Sequence, residues 1–303
     1  RRVGERARPE QEAARREGRR SRVRQSPGSP GRSGSDRPVQ RAPRKVPGRS
    51  AISFHLEACA NAIKDAGLSK NDIDGLIIYR NFEPLGNDSE ITPYLVAQQL
   101  GIQPKHLSQE ANCARSQLIH AVSILEAGLC KNVLISYGDN AYSKQRSFIK
   151  EVKDGRIVDD AGVFGEFGTL AKYALAARRA MFEWSSGPKT WMEIAVNQRK
   201  WANLNQIALF HNKPLTPEDY SSANWIVEPF RLYDSSQPTD GGRAYIVTSR
   251  ERARDLKNPP VLISGLAESN PCLDPFRSTF MTANTGAKEA GQLALKMANI
   301  KLE

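Results

Sequence analysis

Residues 50–303 are predicted to form a layered α/β domain with parallel strands. Two observations predict it: short, continuous apolar runs alternate with segments of helical period, and Gly or Thr-Pro punctuation falls where those segments end and begin. Ile52, Leu56, Cys59, Ile63 and Ala66 recur at helical spacing, and Gly67 is placed to end that helix. Gly75–Tyr79 (Gly-Leu-Ile-Ile-Tyr) reads as a strand covered on both faces. Thr92-Pro93 supplies an N-cap followed by proline in the first helical turn, and Gly101 closes that helix. A weaker strand is expected over Leu107–Glu110, a helix over Ala114–Ala127 ending at Gly128, and a buried strand over Asn132–Tyr137.

Residues 139–228 break the alternation and read as a mostly helical insertion or lid. Gly162, Gly165 and Gly168 open a helix over Ala171–Trp184, a second runs from Thr190 to about Asn205, and a third, short one begins at Thr216-Pro217. The glycine spacing is not that of a dinucleotide-binding loop and follows no clear strand, so it is read as flexible backbone at a loop-to-helix junction. Strands are expected again at Arg243–Thr248 and Val261–Leu266, before a last helix from about Gly286 to near Ile300. Ala66-Gly67-Leu68-Ser69 can be laid over Ala298-Asn299-Ile300-Lys301, a short internal match that hints at a repeat.

The net charge of +11 is concentrated at one end. Residues 1–50 carry 15 Arg and one Lys against five acidic residues, while the remaining chain balances 28 basic with 28 acidic side chains. A nucleic-acid-binding domain needs basic residues on its folded surface, so this distribution argues against that class. Residues 1–48 have no hydrophobic period, and no Leu, Ile or Phe occurs before residue 52. The segment is expected to be disordered, and its abrupt composition and its start at Arg1 suggest a fragment edge or an out-of-frame translation.

No apolar run reaches the roughly 18 residues of a membrane span, and no secretory or transit signal is legible. Cys59, Cys113, Cys130 and Cys272 stand singly, without metal-ligand spacing or the density of a disulfide scaffold, which points to a reducing cytoplasm and to no metal site. G-x-S-x-G, H-E-x-x-H and P-loop patterns are absent, so hydrolase, zincin and nucleotide-phosphate chemistry lack their donors.

Cys113 carries the chemical interest. It lies between an expected strand end and a helix start in Glu110-Ala-Asn-Cys-Ala-Arg-Ser-Gln-Leu-Ile-His120. Ligands of open α/β sheets collect beyond the carboxyl ends of strands, and the free N–H groups of a helix start favour thiolate over thiol. A buried structural cysteine is the alternative. His120, seven residues on, lies about 10 Å along the helix, too far for a direct bond to the thiol, and is read as a core histidine. Cys59 and Cys130 are read as packing residues, Cys272 is unassigned, and Trp184, Trp191, Trp201 and Trp225 are read as core of the insertion.

These residues resemble a family. Pro47-Gly48-Arg49-Ser50, His55-Leu56-Glu57-Ala58, Asp65-Ala66-Gly67-Leu68, Asn112-Cys113-Ala114, Glu126-Ala127-Gly128-Leu129-Cys130 and Val133–Gly138 are similar to the sterol-carrier-protein type of thiolase and its acetyl-CoA acetyltransferase-like relatives. The likeness continues through Tyr173–Arg179, Pro229-Phe230-Arg231-Leu232 and Thr239-Asp240-Gly241-Gly242-Arg243-Ala244, covering about 46–303.

The resemblance implies a thiolase-like fold with a βαβαβ core. It assigns 49–138 and 229–258 to the N-terminal half, 139–228 to the insertion and 259–303 to the start of a C-terminal half that is largely missing. It implies acyl transfer on coenzyme A thioesters with Cys113 as acyl-accepting nucleophile, coenzyme A entering as substrate and not as a tightly bound cofactor. Asp240-Gly241 is taken as structural. The catalytic histidine and second acid/base group of the family would lie beyond Glu303, leaving this chain alone inactive.

A homodimer is implied, and a small OB-fold partner subunit is compatible. Alternatives within the same fold are a retro-aldol lyase acting on a steroid side-chain CoA ester, with the cysteine dispensable, and a non-catalytic acyl carrier or scaffold. Three departures stand out: Arg115, Ser116 and Gln117 replace small residues after the cysteine, no strand is expected before Ser50, and the later catalytic segments are lacking.

Overall fold

A computed structural model describes residues 21–26, 45–79, 91–110, 114–143, 168–270 and 286–302. Its centre is a sheet of six strands: β1 (Ser21–Ser26), β2 (Gly75–Tyr79), β3 (His106–Glu110), β4 (Asn132–Asn140), β7 (Asp240–Ser249) and β8 (Val261–Leu262), in the order β3-β2-β4-β7-β1-β8. β2 runs parallel to both β3 and β4, while β7 is antiparallel to β4 and to β1. The parallel core therefore holds the three strands predicted first, and the antiparallel ones close its other side.

Alternation along the strands divides the apolar residues between two faces. Leu76, Ile78, Leu134, Ala244 and Ile246 pack with Cys59, Ile63 and Ala66 of α1 (Ala51–Ala66) and with Val96, Ala97 and Leu100 of α2 (Pro93–Leu100). Ile77, Val133, Ile135, Tyr245 and Val247 face the other way, against Ala121 and Ile124 of α3 (Ala114–Glu126). Helices thus cover both faces, which is why the central strands read as unbroken apolar runs.

The local signals account for the helix ends. Gly67 and Gly101 take left-handed conformations at φ 70° and 72°, and the Thr92 hydroxyl accepts from the Leu95 N–H. Gly138 and Gly242 serve a different need. They are paired across β4 and β7, and a Cβ on them would stand 2.6 Å from the His55 nitrogen and 2.5 Å from the Phe54 oxygen. This glycine notch seats the first turns of α1 against the sheet.

Between β4 and β7 lie α4 (Gly168–Trp184), α5 (Pro188–Leu204), α6 (Pro217–Ser222) and a small hairpin of β5 (Trp225–Val227) and β6 (Phe230–Arg231) that the sequence reading did not anticipate. The core of this region is small: Ala195, Leu215 and Tyr220, with Trp191 and Tyr233 against them. The expectation of four core tryptophans is corrected. Trp184 and Trp201 are exposed and the half-exposed Trp225 lies under the Arg231 guanidinium at 3.8 Å; among the described residues the apolar cluster of this region takes in only Trp191 of the four.

Two further expectations change. Ser21–Ser26 falls in the segment read as disordered, yet it pairs residue for residue with β7, from Ser21 opposite Ser249 to Ser26 opposite Ala244, so a strand does precede Ser50. Its cohesion is a main-chain ladder, to which apolar patterning is irrelevant. The strand expected over Val261–Leu266 pairs only at Val261–Leu262. After α7 (Arg250–Arg254), the last helix, α8 (Ala287–Ala298), ends as α1 does: Asn299 is left-handed at φ 56°, and the Ile300 N–H reaches the Leu295 carbonyl as that of Leu68 reaches Ile63. The short sequence match therefore marks a repeated helix-capping geometry.

Candidate functional site

Glu110 is the last residue of β3 and Ala114 the first of α3. Cys113, the expected nucleophile, falls in the three-residue link between them and lies outside the described residues, as do Cys272, Gly162 and Gly165. The frame around that link is defined. α3 is pinned to the sheet by Gln117, Ala121 and Ile124, one stripe at helical spacing. Its start is therefore held beyond the carboxyl ends of β2, β3 and β4, the position where open α/β sheets bind ligands.

Two of the three residues departing from the family pattern, Arg115 and Ser116, face a common partner. Ser116 donates its hydroxyl to Glu268, 3.1 and 3.2 Å from the two carboxylate oxygens, and the Arg115 guanidinium stands 3.7 Å away. Asn270 adds a contact at 3.5 Å. The first turn of α3, where unpaired N–H groups favour negative charge, is thus already met by a carboxylate from the segment following β8. Gln117 is fully buried, and its amide nitrogen has no hydrogen-bond partner among the described residues.

A second group stands at the strand ends on the α3 side of the sheet. Tyr79 ends β2 and meets Tyr137 of β4 edge-on, ring centroids 5.4 Å apart. The Tyr137 hydroxyl donates to Asp139 at 3.2 Å, and the Arg243 guanidinium lies 5.3 Å from the Tyr137 ring. Burial, reinforced by the Asp139 charge and hydrogen bond, holds the Tyr137 phenol far above its ordinary range. It keeps its proton at neutral pH and is built to donate. Sequence reading missed this group, though aromatic and acidic residues at the ends of strongly predicted strands were the available signal.

His120 is not a core histidine. It is a half-buried residue whose Nδ1 lies 2.6 Å from Glu110 Oε1, so it ties α3 to the end of β3. Cys59 and Cys130 are buried packing residues, as read from the sequence; burial pushes the Cys59 thiol up to about 12 and also raises that of Cys130. Asp240 begins β7 and accepts from the Val46 N–H at 2.8 Å and from the Ser143 N–H and hydroxyl at 3.0 and 2.6 Å. That is the structural role expected of it. No helix of the described residues is long and apolar enough to cross a membrane, and none of their His, Cys, Asp and Glu side chains form a group of three or more placed to hold a metal ion.

No family model matches the chain. It is 34% identical over 263 residues to a steroid side-chain-cleaving aldolase of Thermomonospora curvata, covering 82% of this chain and 64% of that protein. It is 34% identical over 237 residues to the 17-hydroxy-3-oxo-4-pregnene-20-carboxyl-CoA lyase of Mycobacterium tuberculosis, covering 74% and 59%. An acetyl-CoA acetyltransferase of Methanocaldococcus jannaschii is 26% identical, covering 84% and 65%. Among solved structures, the Ltp2–ChsH2(DUF35) aldolase superposes with a TM-score of 0.72 at 28% identity, covering 84% of this chain and 66% of that one. The chain spans about three fifths of the length of the curated relatives it matches. With the sheet order, the helices on both faces and these relatives together, the chain belongs to the thiolase superfamily, among its sterol-carrier-protein-thiolase-like members.

Proposed function

We propose that the protein is a retro-aldol lyase acting on a coenzyme A thioester of a hydroxylated steroid side chain, and not an acyl-cysteine transferase. The observation that carries this reading is the 34% identity to the aldolase and the CoA lyase, against 26% to the acetyltransferase. The site adds a physical argument. An acyl-transferring cysteine depends on an uncompensated helix start, and here Glu268 approaches the first turn of α3 with both carboxylate oxygens on Ser116. A carboxylate bound to that turn lowers the positive potential that would favour a thiolate there, offset in part by the Arg115 guanidinium 3.7 Å from it.

In the retro-aldol reaction a base takes the proton of the β-hydroxyl group, the carbon–carbon bond breaks as a ketone forms, and the electron pair moves to the α-carbon as a thioester enolate. A proton then returns to that carbon. Glu268 at the α3 start and the Tyr137–Asp139 pair at the end of β4 are groups able to hold or move these protons. Cys113 has no obligatory part in these steps.

The test is incubation of the purified full-length protein, including the segments that follow Glu303 in its relatives, alone and with a DUF35 partner, with the 17-hydroxy-3-oxo-4-pregnene-20-carboxyl-CoA ester, followed by mass spectrometry of products and protein. A 17-ketosteroid with a short acyl-CoA, formed equally by Cys113→Ala, supports the lyase. An acyl adduct on Cys113 with activity lost in Cys113→Ala returns the reading to acyl transfer, and intact substrate under both conditions supports a carrier or scaffold. The DUF35 partner, suggested by the solved aldolase complex, and the homodimer belong to the same proposal; light scattering with and without the partner tests both.

A further inference from the structure

We propose that His106 and His120 form a binding site for a divalent transition-metal ion of the Zn(II) class, bridging the edge strand β3 and helix α3. The proposal does not depend on the lyase reading. His106 begins β3, His120 lies in the second turn of α3, and their Nε2 atoms are 3.1 Å apart, with ring centroids at 5.0 Å and planes at 79°.

Those distances, which also allow a hydrogen bond between the rings, fit two imidazoles converging on one ion. Imidazoles aimed at one ion about 2.05 Å from each nitrogen, with about 98° between them, hold their nitrogens about 3.1 Å and their centroids about 4.8 Å apart; a hydrogen bond along the line of both rings would hold the centroids at about 5.4 Å. The observed pair lies nearer the converging arrangement. An angle of about 98° falls between octahedral and tetrahedral values, which Zn(II) and its neighbours accept from imidazole nitrogens.

The surroundings are those of a metal-binding histidine. Nδ1 of His120 is 2.6 Å from Glu110 Oε1 and 3.3 Å from the Ser108 hydroxyl, which itself donates to Glu110 at 3.4 Å. A carboxylate on the far ring nitrogen fixes the ring and directs the Nε2 lone pair outward, the arrangement that orients ligating histidines. Glu110 therefore orients and does not ligate, so the protein supplies two ligands and water completes the shell. Side chains of His120 and Glu110 are 27% and 25% exposed, and β3 is the edge strand, so an ion can approach from solvent.

The chain is titrated calorimetrically with ZnCl2, and the zinc-loaded wild type is examined by X-ray absorption. One ion per chain is expected, with two imidazole nitrogens and lighter oxygen scatterers. Binding should weaken at least 10-fold in His106→Gln and in His120→Gln, and about 10- to 100-fold in Glu110→Gln. Absence of binding, undiminished binding in folded His106→Gln, or sulfur scatterers at about 2.3 Å in the wild type overturns the proposal. The absorption spectrum decides the matter without any variant that fails to fold.

Discussion

The hydroxyl of Ser136 on β4 lies 3.0 Å from Nδ1 of His55 on α1, and both residues are excluded from solvent. Burial depresses the His55 imidazole to about 4, so it is neutral in the folded chain at neutral pH. The unfolded chain binds that proton near 6.5, so folding loses stability as pH falls from about 6.5 towards 4 and loses no more below. The loss is about 3.5 kcal/mol, from roughly 2.5 pH units at about 1.4 kcal/mol each. Urea unfolding from pH 7 to 4 should show this slope, and His55→Gln should flatten it. An unchanged slope in the variant would place the proton elsewhere.

The glycine notch makes a steric prediction. Gly138→Ala and Gly242→Ala each drive a Cβ into α1 backbone, at 2.6 Å from the His55 nitrogen and 2.5 Å from the Phe54 oxygen. Neither neighbour can rotate away, so each variant should cost about 1–3 kcal/mol in denaturant unfolding. Gly241→Ala, where a Cβ meets nothing within 4 Å, is the control and should change little.

Asp240 ties β7 to Val46 and Ser143. Its burial works against the charge, but hydrogen bonds from Ser143, Val46 and Tyr142 outweigh that and hold the carboxyl below its ordinary range. The stabilisation is complete above the unfolded pKa of about 3.9 and is lost as pH falls through the lower folded value. Asp240→Asn keeps the shape, removes the charge, and should lower stability at pH 7 by about 1–3 kcal/mol; an unfolding midpoint equal to wild type would count against the anchor.

What the sequence made legible was local. Gly67, Thr92-Pro93 and Gly101 announce helix ends through their own backbone preferences, and Gly75–Tyr79 announces a central strand because both of its faces are buried. β1 was illegible: Ser-Arg-Val-Arg-Gln-Ser has no apolar alternation, and its pairing with β7 is made by main-chain groups common to every sequence. The site was half legible. The approach to Cys113 and the departure at Arg115 and Ser116 could be read, but Glu268 is 152 residues from Ser116, and the meeting of Tyr79 with Tyr137 follows only from strand order. His106 and His120 sit fourteen residues apart, one on a strand and one on a helix, so only the packing of β3 against α3 brings them together.

The carboxylate at the start of α3 makes the last prediction, and it separates the electrostatics of that turn from catalysis. If Glu268 opposes negative charge there, Glu268→Gln should leave the helix start free to favour a thiolate at Cys113. Helix-terminus effects of about 0.3–1 kcal/mol correspond to a rate increase of roughly 2- to 5-fold for alkylation by iodoacetamide at pH 7, with the pH–rate midpoint moving down. Peptide mapping assigns the modification to Cys113, and the buried Cys59 and Cys130 should stay unlabelled in the folded chain. Ser116→Ala, which removes the hydroxyl that fixes Glu268 but leaves its charge, should shift reactivity less than Glu268→Gln. Equal alkylation rates for wild type and Glu268→Gln would show that the carboxylate does not act on the thiol, and would remove the electrostatic support for the lyase reading while leaving the product assay to decide it.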